Sequence, residues 1–127
     1  MHRSRLAGFI IDCNTNDLGG AAEFWGAALG YRRKKLAAPE VANYIQLDTG
    51  AENLHIEVQK VDHPSRVHLD IETDDVDAEV ARLEKLGAKR IGMVRTWCVM
   101  EAPTGQRFCV VRVQNPGFDD TARTWED

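Results

Sequence analysis

Two kinds of periodicity alternate along the chain. Residues 66–73 read RVHLDIET. Val67, Leu69 and Ile71 fall on one side and His68, Asp70 and Glu72 on the other, the period-2 signature of a strand with one apolar and one polar face. The period then lengthens. Val76, Val80 and Leu83 recur at i, i+4 and i+7, which predicts an amphipathic helix with Asp74 or Asp75 as its cap and Gly87 at its end. A strand carrying a histidine and two carboxylates on one face therefore feeds directly into a helix.

The same two patterns occur upstream. Residues 6–13 read as a strand that is apolar on both faces until Asp12, and residues 14–16 as a polar turn. Asp17 is placed to cap a helix whose apolar stripe is Leu18, Ala21, Ala22, Trp25, Ala28 and Leu29, with Gly30 closing it. A strand over 31–36 follows, with its RRKK run in solvent, then a loop over 37–42 containing Pro39. Strands over 43–48 and 53–60 are joined by a turn, and in the second Leu54, Ile56 and Val58 oppose His55, Glu57 and Gln59. Residues 61–65, with Pro64, form a linker. After the second helix, strands are predicted over 88–94, 96–102 and 107–114, with a Pro103-Thr104-Gly105 turn between the last two. From Asn115 the chain turns polar, and a loose tail is expected that packs, if at all, through Phe118 or Trp125.

Strand, helix and three strands thus occur twice, an internal duplication. Gly8–Asp12 (GFIID) echoes His68–Glu72 (HLDIE), and Leu29-Gly30 echoes Leu86-Gly87. The reading is an α+β fold of two tandem β-α-β-β-β modules forming a cupped, mostly antiparallel sheet. It treats 1–127 as a single domain, with module 1 at about 6–60, module 2 at about 66–114 and the tail at 115–127. Neither module is large enough to bury both faces of its own sheet, so the helices should cover the outside and leave a concave inner face.

Composition narrows the partners. The chain has 127 residues, 43% of them hydrophobic, enough for a packed core. A net charge of −4 offers no basic footprint for nucleic acid and no attraction to anionic membranes, and no apolar run reaches spanning length. Three widely separated cysteines lack any paired zinc or redox spacing, which fits a reducing cytoplasm.

The segments AEFWGAALGY (22–31), VHLDIETDDVDAEVARLEKLGA (67–88) and WCVMEAPTGQRFCVV (97–111) resemble the vicinal oxygen chelate superfamily, which includes glyoxalase I, the bleomycin-resistance proteins and extradiol dioxygenases. In the last segment Ala102 stands where the family usually has Asp, and Gln106 where it has Asn. The resemblance implies the cupped fold, a homodimer and a small-molecule ligand. It also implies four metal ligands, carried over onto Gly8, Glu57, His68 and Cys109. Glycine has no donor side chain, and a soft cysteine replaces a carboxylate, so only Glu57 and His68 remain as good ligands of a divalent metal. Whether the chain is an enzyme is left open. The resemblance implies a lyase, isomerase or dioxygenase if it is active, and otherwise a metal-independent sequestering protein of the bleomycin-resistance type.

Each candidate residue has a plainer alternative. Glu57 and His68 read as surviving metal ligands or as a general base with its partner, against a buried histidine held by a hydrogen bond. His55 shares the face of Glu57 and either completes a rearranged site or is a partly exposed strand residue. Asp70 either meets a cationic or hydroxylated ligand or bridges to Arg107. Trp97 suits a flat or apolar ligand, whereas Trp25 on the helix stripe reads as core. Tyr44 and Gln46 can reach the cavity from the third strand, and Tyr44 equally suits a rim or dimer contact. Cys109 is a nucleophile, a soft ligand or a small core residue.

Overall fold

The structure, a computed structural model, describes residues 1–34 and 43–126. The predicted 37–42 loop and the Lys35–Leu36 end of the predicted second strand lie outside the described residues. The chain divides into two compact units, one formed by Phe9–Val67 and the other by Met1–Gly8 with His68–Asp127.

In the Phe9–Val67 unit, the second half of β1 (His2–Asn14) leads into α1 (Leu18–Leu29), β2 (Arg32–Arg33), β3 (Tyr44–Asp48) and β4 (His55–Val61). Asp17 caps α1 by accepting the Gly20 N–H, and Gly30 closes it at φ 79°, a left-handed conformation that costs glycine least. The strand order is β2-β3-β4-β1. The antiparallel register sets Ile45 opposite Val58 and Leu47 opposite Ile56. These residues join Ile11 and Ala22 in one apolar cluster, with Trp25 packed against it as core. The other side chains of β3 and β4 must then point away from α1.

The second unit repeats this plan. β5 (Arg66–Thr73) enters it at His68 and leads to α2 (Val76–Lys85), β6 (Lys89–Val94), β7 (Trp97–Glu101) and β8 (Arg107–Arg112), in strand order β6-β7-β8-β5. Asp75 is the cap of α2 and accepts from the Ala78 N–H. Asp77 and Glu79 in its first turn and Arg82 and Lys85 in its last complement the helix dipole. Val80, Leu83, Cys98, Met100 and Val110 form the core under α2, with Ile71 and Phe108 packed against it. β5 and β8 run parallel, and β6-β7 and β7-β8 antiparallel. The α+β class, the duplication and the mostly antiparallel pairing read from the sequence are present.

Three expectations are corrected. The first strand begins at His2, ahead of residue 6, because its polar start is held from elsewhere: β9 (Arg123–Trp125) pairs with His2, Arg3 and Ser4. The tail is correspondingly ordered, as the short helix α3 (Phe118–Thr121) followed by β9, with Phe118 buried under Arg3 and Arg5, whose guanidinium carbons lie 5.2 and 5.5 Å from its ring centre. The apolar side of β5 is also less covered than its polar side. Val67 and Leu69 are 59% and 45% exposed, whereas Asp70 and Glu72 are 5% and 0% exposed. Ile71 joins the core under α2, and on the polar side Glu72 is paired with Arg5.

Candidate functional site

The register of β3 on β4 brings a polar cluster together on the face turned away from α1. Gln46 is the cross-strand partner of Glu57, and His55 precedes Glu57 by one period of the strand. His55 is buried and Glu57 half-buried. His55 Nε2 lies 2.6 Å from Glu57 Oε1, and Gln46 Nε2 lies 3.3 Å from His55 Nδ1. A proton on Nε2 would be donated to the Glu57 carboxylate, with Nδ1 facing the Gln46 amide. Glu57 Oε2 has no hydrogen-bond partner among the described residues. Tyr44 opens the same face one period before Gln46, opposite Gln59. Four predicted residues, Tyr44, Gln46, His55 and Glu57, are thus on one strand face. His55 is a buried ring held by the carboxylate, not the partly exposed strand residue weighed above.

A second cluster occupies the corresponding face of the other unit. The parallel register pairs Asp70 on β5 with Cys109 on β8, and His68 precedes Asp70 by one strand period. One ligand atom each from His68, Asp70 and Cys109 lie within 4.8 Å of one another. His68 Nε2 is 3.6 Å from Asp70 Oδ1. Cys109 is also the cross-strand partner of Val99, so Trp97, Val99 and Glu101 share its face. Arg107 does not reach Asp70. Its Nε donates to Glu101 Oε1 at 3.2 Å, its direct cross-strand neighbour. The other two thiols differ in setting: Cys98 is wholly buried under α2 and Cys13 packs on the α1 side. Burial pushes both of these thiols above the usual range, with the Asp12 charge adding to the effect at Cys13.

Glu72, on the polar face of β5, and Glu79, on α2, both hold the fold together through hydrogen bonds. Glu72 Oε1 accepts from Arg5 Nε at 2.7 Å, and Oε2 accepts from the backbone N–H groups of Gln114 and Asn115. Glu79, fully buried on α2, is bonded to His2 at 2.8 Å and to Arg82 through both oxygens. Burial works to raise the Glu79 carboxyl, but the Arg82 and His2 hydrogen bonds outweigh it and leave the group below the usual carboxylate range. The long-range partners were not legible, because Arg5, Gln114 and Asn115 lie more than 40 positions from Glu72 and His2 lies 77 positions from Glu79.

The four-ligand metal set implied by the resemblance does not fit these residues. Gly8 offers no donor atom. Glu57 Oε1 is bonded to His55, and Cys109 stands where a carboxylate is expected. A separate cleft of about 660 Å³ opens at the N-terminal end of α2, lined in part by Thr73, Asp75, Arg95 and Arg112, and takes in none of the predicted site residues.

The duplicated β-α-β-β-β order is the one expected from the resemblance to the vicinal oxygen chelate superfamily, and the comparisons agree. The glyoxalase-like domain family matches residues 8–111, so the chain belongs to that family. No curated protein matches the chain. Among solved structures, methylmalonyl-CoA epimerase from Mycobacterium tuberculosis is 14% identical with a TM-score of 0.60, covering 91% of each chain. A hypothetical protein from Bacillus halodurans is 14% identical with a TM-score of 0.57, covering 87% of this chain and 96% of its own. Homoprotocatechuate 2,3-dioxygenase from Brevibacterium fuscum is 18% identical with a TM-score of 0.57, and the match covers 89% of this chain but 38% of the dioxygenase. At these identities the likeness is one of fold.

Proposed function

We propose that this glyoxalase-like protein binds a small organic molecule carrying a carbonyl group on the polar face of β3 and β4, and that Glu57 acts there as a general base in a lyase- or isomerase-type reaction. The observation that carries this reading is the His55–Glu57 pair: a buried imidazole fixes one carboxylate oxygen at 2.6 Å and leaves the other available. In the step envisaged, the C–H bond next to the carbonyl breaks, its proton passes to Glu57 Oε2, and its electron pair moves onto the carbonyl oxygen. Return of the proton completes an isomerisation. Tyr44 and Gln46, on the same strand face as Glu57, supply binding surface for that ligand. A related fold in Streptomyces coelicolor methylmalonyl-CoA epimerase was solved with 2-nitronate-propionyl-CoA, which lends the carbonyl class support by analogy.

The test is solvent exchange. Carbonyl compounds bearing an acidic C–H would be screened by thermal shift, and the binders incubated in heavy water and followed by NMR. Deuterium should enter the ligand with the wild type and not with Glu57→Gln, which should still show a ligand-dependent rise in Tm. Exchange that survives in Glu57→Gln would overturn the assignment. A second reading, sequestration without chemistry, is favoured by the missing donor at Gly8 and gives a Tm rise without exchange for either protein.

The same reading places the protein in the cytoplasm as a homodimer. Three free cysteines support a reducing compartment, and no helix among the described residues is long and apolar enough to cross a membrane. Val67 and Leu69, 59% and 45% exposed on β5, support self-association. Sedimentation equilibrium should give twice the chain mass, and a monomer mass at all concentrations would rule the dimer out.

A further inference from the structure

We propose that the cleft at the N-terminal end of α2 binds a small zwitterion, a compound with a carboxylate and an ammonium group on one apolar skeleton, as in amino acids and short peptides. The cleft has a volume of about 660 Å³, within the range of small-molecule sites. All of its lining belongs to the unit formed by Met1–Gly8 and His68–Asp127. It opens on the α2 side of that unit's sheet, the side opposite Asp70 and Cys109. Thr73 and Arg112 are register partners in phase with Ile71 and Val110, which pack under α2, and Met93 is the register partner of the buried Cys98. Glu57 has no part in it, so the site stands or falls independently of the proton-transfer reading above.

Charges of both signs line this cleft without being spent on each other. Arg95, in the β6–β7 turn, and Arg112, at the end of β8, make no ion pair or side-chain hydrogen bond among the described residues, and neither does Asp77 in the first turn of α2. The neighbouring carboxylates are engaged. Asp74 accepts from the Arg3 N–H and from Arg3 Nε, and Asp75 accepts the Ala78 N–H as the cap of α2. A simple anion would pair with the guanidinium groups but face Asp77. A simple cation would pair with Asp77 but face two guanidinium groups. A zwitterion meets both signs at once, with a carboxylate suited to the planar forks of arginine. Met93 and Val113, 53% and 42% exposed, and the half-buried Val76 offer apolar surface for the skeleton between its charges.

Arg95 is held in the cleft lining at a cost to the backbone. Val94 pairs with Trp97, so Arg95-Thr96 is a two-residue hairpin loop, and Arg95 has φ 51°. Glycine, asparagine or aspartate is the favoured residue at a positive φ in such a loop. The hairpin would therefore close more readily with glycine at this position than with arginine. Folding does not call for the guanidinium, whereas a charged ligand in the cleft does.

The probes are L-leucine and leucyl-leucine, titrated into nitrogen-15-labelled protein and followed by amide NMR. At least one of them should shift the amide signals of Asp77, Arg95, Thr96 and Arg112 together and to saturation. Its N-acetyl form, which lacks the ammonium, and its methyl ester, which lacks the carboxylate, should each bind about tenfold more weakly or worse. Arg112→Gln and Asp77→Asn should weaken binding of the zwitterion by a similar factor, about tenfold. Asp77→Asn should also lose the preference for the free amine over the N-acetyl form. Arg95→Gly should weaken binding while its Tm equals or exceeds that of the wild type, a combination that a purely structural arginine would not give. Far-ultraviolet circular dichroism on each variant confirms that the fold is intact. The proposal is overturned if neither zwitterion shifts these signals, if the N-acetyl or ester form binds as tightly as the zwitterion, if Arg95→Gly binds as tightly as the wild type, or if the shifts fall instead on Gln46 and Glu57.

Discussion

Arg5 and Glu72 form an ion pair at 2.7 Å, with the carboxylate entirely buried and the guanidinium side chain 15% exposed. The pair anchors two distant segments at once. Glu72 Oε2 receives the Gln114 and Asn115 amides, and Arg5 Nη1 donates to the Gly117 carbonyl and the Thr121 hydroxyl. Removing the carboxylate leaves the Arg5 Nε–H and two amides without their acceptor at a buried position. Glu72→Ala should therefore lower stability by about 3–5 kcal/mol, read as a drop in the urea midpoint. An unchanged midpoint would show that water replaces the carboxylate.

Phe118 should behave as a core residue despite its place in a polar tail. It is 6% exposed and lies beneath two guanidinium groups. Phe118→Ala should cost about 3 kcal/mol. Amide hydrogen exchange over β9 should accelerate in the same variant, because α3 holds β9 against β1. If only α3 exchanges faster, β9 is held by Trp125 alone, whose Nε1 donates to Ser4 Oγ at 2.8 Å.

Acid should destabilise the fold through Glu79. Its carboxyl lies below the usual range in the folded state, so the unfolded chain binds the proton more tightly. The stabilisation is complete above the unfolded value of about 4.3 and is lost as pH falls through the folded value. Asp74, lowered by Arg3 hydrogen bonds against the effect of burial, acts in the same direction. Thermal unfolding followed between about pH 5 and pH 3 should show Tm falling, with a shallower fall in Glu79→Gln. Equal slopes in the two proteins would assign the acid sensitivity to other groups.

His55 should matter to stability as well as to ligand chemistry. Its ring is 6% exposed and holds both Gln46 and Glu57. His55→Ala removes the partner of a half-buried carboxylate and should cost about 1–3 kcal/mol. Gln46→Ala removes only the long 3.3 Å contact and should cost less than about 1 kcal/mol. Equal losses by chemical denaturation would show that Gln46, not Glu57, is what holds the ring.

The sequence by itself determined the modules. Strand alternation at Leu54–Gln59 and helix spacing at Val76, Val80 and Leu83 follow from local geometry, as does the cap Asp17, whereas the choice of Asp75 over Asp74 at the second helix came with folding. It also placed His55 with Glu57 and His68 with Asp70, because residues two apart on a strand share a face. What it left undecided depends on pairing between segments far apart in the chain. The parallel register that sets Cys109 beside Asp70, the choice of Glu101 over Asp70 by Arg107, and the burial of Glu72 and Glu79 by partners at the two chain ends all arise only on folding. A period-2 pattern reports which residues point the same way. It carries no information about which face is covered, so the polar face of β5 could be recognised in the sequence while its burial, and the approach of Cys109 to Asp70, was decided by tertiary structure.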